Sequence, residues 1–188
     1  MRCVDAELHA PCWRRVEHPG SSDFACSIAL QTHESAAMTS PVVYFLNGPN
    51  ANLYGLDKSG TYGRESFVSI KKRCEDHAAS LGLTVDFRQS NHEGVLVDWI
   101  QEAREKAEGI VINAAGLTYS SVPILDALLA FEGPIIEAHM SNIWKREPFR
   151  HHSYVSRAAT GVIAGFGALG YELALTAVSR LIAEKAAR

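Results

Sequence analysis

Pro41-Val-Val-Tyr-Phe-Leu-Asn-Gly-Pro-Asn50-Ala-Asn-Leu-Tyr-Gly-Leu-Asp-Lys-Ser-Gly-Thr-Tyr62-Gly63 joins a buried element to a polar, glycine-bearing one. Its apolar run, Val42 to Leu46, reads as a buried strand. Asn47-Gly48-Pro49-Asn50 ends that strand sharply, because Gly and Pro punctuate the backbone and Asn tolerates turn geometry. The segment that follows carries Gly55, Gly60 and Gly63 together with Tyr54 and Tyr62, and reads as a flap able to bring the Tyr62 phenol over a site. A buried strand that stops in a polar turn is how open α/β sheets build ligand clefts at their carboxyl edge.

Downstream, the pattern alternates between periods. Phe67, Ile70, Cys74, Ala78 and Leu81 recur at helical spacing, with Gly82 placed as the residue after the helix. Leu83 to Phe87 alternates as a strand, and Asn91-His92-Glu93-Gly94 reads as the turn that closes it. Leu96, Trp99, Ile100, Ala103 and Ala107 form a second helical stripe. Gly109 to Ile112 is a third strand, followed by the loop Asn113-Ala-Ala-Gly116. Ser121 is a helix N-cap with Pro123 in the first turn of a third helix through Leu125, Leu128 and Leu129. Pro134 to Ala138 is a fourth strand ending at His139, and Ser141 to Ser156 is a long polar connection. Gly161 to Phe166 is a fifth strand. Tyr171, Ala174, Leu175, Val178, Leu181 and Ile182 mark a final helix.

Five strands alternating with helices predict a parallel sheet covered on both faces. The expected fold class is α/β, a flavodoxin-like three-layer sandwich with strand order 2-1-3-4-5, whose switch point lies between strands one and three. Asn50, Asn113 and His139 stand at or just past the carboxyl ends of strands one, three and four. They are therefore expected to converge on one cleft.

Upstream, residues 1–40 show no sustained period; Pro11, Pro19-Gly20 and Ser21-Ser22 interrupt every candidate element. The segment lacks the apolar core of a secretory signal, and its five acidic residues disagree with a mitochondrial transit peptide. Met38 directly precedes the patterned region. The expectation is an N-terminal extension over 1–40, disordered or loosely packed or a non-native start ahead of Met38, and a single flavodoxin-like domain over 41–188.

The 188 residues, 47% hydrophobic and 21% charged, suit one globular domain with a sizeable core. A net charge of −3 gives no basic field for nucleic acid or anionic lipid. No apolar run approaches the ~20 residues of a spanning helix. Cys3, Cys12, Cys26 and Cys74 match neither a disulfide framework nor a Cys-x-x-Cys site, and read as reduced cytoplasmic thiols.

A Tyr and a His facing each other across a cleft form a possible base and acid pair. A phenol with an ordinary pKa of about 10 serves as a base near neutrality only when a cation stabilises its anion; about three units of depression require roughly 4 kcal/mol. Asn50 and Asn113 can position a water or a hydroxyl, and Arg150 is a fork for a carboxylate. Together these groups suit proton abstraction beside a carbonyl followed by loss of a hydroxyl, with no metal or cofactor required. Blander readings compete: Tyr62 as a lid over the core, His139 as a hydrogen-bonded structural residue, Cys74 as core. Adjacent His151-His152 are a poor metal pair, because neighbouring side chains diverge. Asn47 to Asn50 lacks the glycines and the Lys of a phosphate loop. Spacing alone leaves the activity open.

The sequence resembles the type II 3-dehydroquinate dehydratases from residue 42 to about 182. The blocks that carry the resemblance are Leu46-Asn-Gly-Pro-Asn50, Tyr62-Gly63, Phe87-Arg-Gln-Ser-Asn-His-Glu-Gly94, Glu137-Ala-His139-Met-Ser-Asn142 and Arg146-Glu-Pro-Phe-Arg-His-His-Ser-Tyr154. The resemblance implies a flavodoxin-like fold, trimers assembled into a dodecamer, and anti elimination of water from 3-dehydroquinate through an enolate, the third reaction of the shikimate pathway. It implies Tyr62 as the base, His139 as the acid that protonates the departing hydroxyl, Glu137 as its orienter, and Asn50 as holder of the water that stabilises the enolate. Asn113, Met140, Ser141 and Arg150 bind substrate by the same analogy, Asp126 reaches a neighbouring subunit's cleft, and Arg146 and Glu93 support the site.

Two departures stand out. Where the family's flap carries an activating Arg, this chain has Asp57, a charge that raises a phenol's pKa; Lys58 or Arg146 is the candidate replacement cation. The loop after strand three has Tyr119 where the family usually has a substrate-binding His, and Leu117 where it usually has a Tyr. Beside a 3-dehydroquinate dehydratase of the shikimate pathway or of quinate catabolism, these departures motivate two alternatives: a paralogous dehydratase for a related cyclic hydroxy-ketoacid, or a non-catalytic oligomeric binding protein of the same fold. A flavin carrier of this fold class is a further reading.

Overall fold

The computed structural model describes residues 40–56 and 64–188. Expectations for residues 1–39, and for Asp57, Lys58 and Tyr62, lie outside the described residues. In chain order the principal elements are β1 (Val42–Asn47), α1 (Phe67–Ser80), β2 (Thr84–Gln89), α2 (Glu93–Lys106), β3 (Gly109–Asn113), α3 (Val122–Leu129), β4 (Ile135–His139), β5 (Gly161–Ala164) and α4 (Ala168–Ala186). The five strands pair in parallel in the order β2-β1-β3-β4-β5, as the alternation of periods predicts.

Successive residues of a strand point to opposite faces, so the apolar runs of the strands feed two cores. Val43, Phe45, Val111, Ile136 and Ala138 pack with Ile70 and Cys74 of α1 and with Ala174 and Leu175 of α4. Tyr44, Leu46, Ile110, Ile112 and Ile135 pack with Leu96 and Ile100 of α2 and with Ile124 and Leu128 of α3. The result is three layers. Burial drives the Cys74 thiol up to about 12, which leaves it an inert core group.

The helix ends follow their signals. The Ser121 hydroxyl accepts from the Ile124 N–H at 2.9 Å with Pro123 in the first turn of α3, and Ser66 caps α1 by accepting from Ser69 N–H at 3.2 Å. Gly82, at φ +71°, takes the left-handed position after α1. Several boundaries differ from the sequence expectation, β2 among them, which runs Thr84–Gln89 and not Leu83 to Phe87. β1 and β3 each run one residue further, to the paired Asn47 and Asn113, because both asparagine backbones stay in the ladder. α2 begins at Glu93 and not beyond the expected turn; Glu93 places its carboxylate in the first turn, where the helix dipole favours it. β5 stops at Ala164 and not at Phe166, since Gly165 and Gly167 adopt φ of +96° and +57° and turn the chain. The long polar connection contains short 3-10 turns at Ile143–Lys145, Pro148–His151 and Val155–Arg157.

Gly48 sets how closely the turn after β1 approaches the loop after β3. Its N–H donates to the Asn113 carbonyl at 2.8 Å, and a Cβ there would meet the Ala114 carbonyl oxygen at 2.5 Å. Gly48→Ala is expected to destabilise the fold by about 1–3 kcal/mol, the cost of forcing backbone apart, read from the shift of the urea midpoint.

Candidate active site

A cavity of about 200 Å³ opens at the carboxyl edge of the sheet. The turn after β1 contributes Asn50 and Tyr54, and the β3 end and its loop contribute Asn113 and Tyr119. His139 closes β4 there, with Met140 and Ser141 following, and the polar connection brings Arg146 and Arg150. The convergence expected of Asn50, Asn113 and His139 is therefore present, at the switch point of the sheet.

His139 and Glu137 are two apart on β4 and so share one face. His139 Nε2 lies 2.7 Å from Glu137 Oε1 with both side chains buried. An ionised carboxylate only accepts, so Nε2 carries the hydrogen and Nδ1 is the ring nitrogen left for a ligand. Glu137 also accepts from the Ser153 hydroxyl at 3.0 Å and, through Oε2, from the Ser156 hydroxyl. Burial pushes the carboxyl upward, but donation from His139, Ser156 and Ser153 outweighs it, and the group is held below the usual carboxylate range. Glu137 stands behind His139 and does not line the cavity. That is the geometry of an orienter.

Two guanidiniums sit on the cavity wall. Arg150 Nε donates to Glu147 at 2.7 Å, and Arg146 Nη1 donates to the Ser141 hydroxyl at 3.3 Å. Tyr119 lies between His139 and this cationic wall. Its ring stacks at 11° and 6.4 Å on His139, and the Arg150 guanidinium sits 5.4 Å from the ring centre. Burial raises the Tyr119 phenol, with Arg150 opposing only in part, so this group is a hydroxyl donor and not an anion at neutrality. The pocket thus combines a carboxylate-backed imidazole, a phenol and two guanidiniums, a set suited to an anionic, hydroxylated small molecule.

Asn50 adopts φ +68°, a left-handed conformation that asparagine tolerates, and its N–H donates to Asn91 Oδ1 at 3.0 Å. Gln89 Nε2 donates to the same oxygen at 2.9 Å, so the block from Phe87 to Gly94 braces Asn50 from behind. Arg88 in that block ties β2 to α2 through Glu102 at 2.6 Å and pairs with Asp86 of its own strand at 2.5 Å. Asn113 lines the cavity but differs from expectation in use. Its Nδ2 donates to Tyr54 Oη at 2.9 Å and to Tyr171 Oη at 2.6 Å, while Oδ1 accepts from Ala115 N–H at 3.2 Å. Both amide hydrogens are committed, and Oδ1 is the part left for a substrate hydroxyl.

Tyr54 on the cavity wall, and Tyr171 and Asn47 in the buried chain behind it, are residues that pattern reading does not single out. Tyr171 reads as one more apolar position of the last helix, yet its hydroxyl donates to the buried Asn47 Oδ1 at 2.9 Å. The available signal is chemical: a Tyr and an Asn at fully buried positions need hydrogen-bond partners, and so point to each other. Asp126 lies on the exposed side of α3 and Glu93 opens α2; neither lines this chain's cavity. His151 packs on Trp144 and His152 edge-on against Tyr154, so the adjacent pair diverges.

The family model described as "Dehydroquinase class II" matches residues 41–179. A 3-dehydroquinate dehydratase of Cereibacter sphaeroides is 56% identical over 141 residues, which is 75% of this chain and 96% of that protein. A Pseudomonas putida protein named 3-dehydroquinate dehydratase 2 is 50% identical over 147 residues, 78% of this chain and 99% of that protein. Among solved structures, a type II dehydroquinase from Propionibacterium acnes aligns with a TM-score of 0.72 at 39% identity, covering 76% of this chain and 98% of that one.

Proposed function

The chain belongs to the class II dehydroquinase family, and from that premise we propose that it is a hydro-lyase converting 3-dehydroquinate to 3-dehydroshikimate and water. The observation that carries the reading is the Glu137–His139 pair buried at the rim of a cavity walled by Arg146 and Arg150. Tyr62 removes the proton beside the ketone, and the electron pair of that C–H bond becomes the enolate. A water held by Asn50 stabilises the enolate oxygen. The enolate collapses, the C–O bond on the opposite face breaks, and His139, entering the step with a hydrogen on each ring nitrogen, gives the Nδ1 proton to the departing hydroxyl, which leaves as water. Glu137 fixes the ring that does this. Arg150 takes the substrate carboxylate, with the Met140–Ser141 backbone, Asn113 and Tyr119 on the hydroxyls.

Arg146, on the cavity wall, is the cation assigned to Tyr62 in place of the Arg that Asp57 displaces, with Lys58 as the other candidate. Asp126 reaches the cleft of a neighbouring subunit in a dodecamer of trimers, Glu93 braces the turn beside Asn50, and the enzyme works in the cytoplasm in the shikimate pathway or in quinate catabolism. The reaction needs no cofactor. Among the described residues no helix is long and apolar enough to cross a membrane.

Purified protein given 3-dehydroquinate is expected to generate the ultraviolet absorbance of a conjugated enone acid. A second reading, a dehydratase for a related cyclic hydroxy-ketoacid, draws on Tyr119, whose phenol occupies the wall beside His139 where an imidazole would be shorter. Turnover of such a compound with 3-dehydroquinate inert selects it. Tight binding of 3-dehydroquinate with no product selects a binding protein instead.

A further inference from the structure

The hydrogens in the buried chain behind the cavity have one consistent arrangement. Asn47 Nδ2 donates to the Arg88 carbonyl at 3.1 Å, which turns Asn47 Oδ1 toward α4. Tyr171 must donate to that oxygen, at 2.9 Å, because an amide oxygen has no hydrogen to give. The Tyr171 oxygen is thereby an acceptor and takes one Nδ2 hydrogen of Asn113 at 2.6 Å. Ala115 N–H, donating to Asn113 Oδ1 at 3.2 Å, fixes the same orientation of the amide independently. The second Nδ2 hydrogen goes to Tyr54 Oη at 2.9 Å. Tyr54 is an acceptor there, so its own hydrogen is turned away from Asn113.

Tyr54 lines the cavity beside Asn50 while its ring is 6% exposed and tilts against Phe67 at 6.4 Å, which restricts where the hydroxyl can go. Tyr171 is fully buried and its phenol is driven well above the usual range by burial, so it stays protonated and keeps its donor role toward Asn47. We infer that Tyr54 is a substrate-contacting hydrogen-bond donor of this site, aimed by the Asn47–Tyr171–Asn113 chain, and that Tyr171 is a positioning residue acting through it. The acceptor is a ligand oxygen on the Asn50 side of the cavity. Tyr171's remaining lone pair is a neutral competitor for the same hydrogen; an anionic oxygen, such as an enolate or carboxylate, is the stronger acceptor. The identity of that ligand rests on the dehydratase reading.

Tyr54→Phe, Tyr171→Phe and the double variant, assayed with 3-dehydroquinate alongside thermal melting, test this. Tyr54→Phe is expected to lower kcat/KM by about 10- to 100-fold, the size of a lost hydrogen bond to a charged group, while the folded fraction at the assay temperature stays that of the parent. The split between kcat and KM identifies the acceptor: an enolate loses kcat, a ground-state carboxylate loses KM. Tyr171→Phe is expected to lower kcat/KM in the same parameter by a smaller factor, and the double variant to lose no more than Tyr54→Phe alone, because both remove one contact. Parent-like kinetics for Tyr54→Phe overturn the donor, and losses that multiply overturn the positioning role of Tyr171. A parent protein inert toward 3-dehydroquinate defeats the dehydratase reading separately; calorimetric binding of 3-dehydroquinate to the parent and Tyr54→Phe then decides the contact, with equal affinity or no binding overturning it.

Discussion

Tyr62→Phe and His139→Asn are each expected to lower kcat by about 10²–10⁴-fold, the usual worth of a positioned base or acid, with KM for 3-dehydroquinate moving far less. The two losses arise at opposite ends of one elimination. Without the phenol oxygen nothing accepts the proton beside the ketone, and without the imidazole the hydroxyl must leave as hydroxide. Because the steps are coupled, the double variant should lose far less than the product of the single losses. His139→Asn carries a second effect, since it withdraws the imidazole donor from a carboxylate that is fully buried. Its folded fraction, checked by circular dichroism, must be parent-like before its kcat is compared. A Tyr62→Phe protein that keeps more than a tenth of the parent kcat would remove that residue from the mechanism and shift attention to Tyr54.

The next largest effect is expected at Glu137. Glu137→Gln keeps the shape but replaces an acceptor-only group with one that carries two hydrogens facing three donors, those of His139, Ser153 and Ser156. At least one of those donors loses its partner inside the protein, so destabilisation of about 1–3 kcal/mol is expected at neutral pH. The pH dependence has a definite sign. The folded Glu137 carboxyl is held below its ordinary value of 4.5, so its contribution is fully present above that value and is lost as pH falls through the lower folded pKa. The stability gap between parent and Glu137→Gln should therefore be flat from pH 7 to about 5 and narrow in more acidic buffer. Kinetically, kcat should fall with little change in KM, and the pH–rate profile should change shape, because Glu137 acts through the ring of His139. A variant with lower stability and an unchanged pH–rate profile would reduce Glu137 to a structural group.

Much of this architecture is legible in the sequence because strand and helix periods differ and the strand ends are polar. The sequence places Asn50, Asn113 and His139 at one cleft, since a parallel sheet sends all its carboxyl ends to one edge. The block from Arg146 to Tyr154 could be placed near that cleft only through the resemblance; its 3-10 turns have no period long enough to read. The helical stripe containing Tyr171 reads as one apolar helix face, yet a stripe does not disclose that a phenol is the hub of a polar chain. Nor could Asn113 be seen as already occupied, because its partners lie 58 and 59 residues away. Ser153 and Ser156 were likewise invisible as partners of Glu137, being held by a connection whose course follows no simple rule.

The alternation of side chains along β1, β3 and β4 has a consequence for how this protein can be altered. Asn47 and Asn113 face the layer of α1 and α4, where Tyr171 meets them, whereas Glu137 and His139 face the opposite layer. The carboxylate-backed imidazole and the asparagine–tyrosine chain are thus anchored in separate layers that both reach the cleft. Selection or engineering can therefore alter one side of the cleft while the imidazole keeps its own scaffold, a modularity written into the pleat itself.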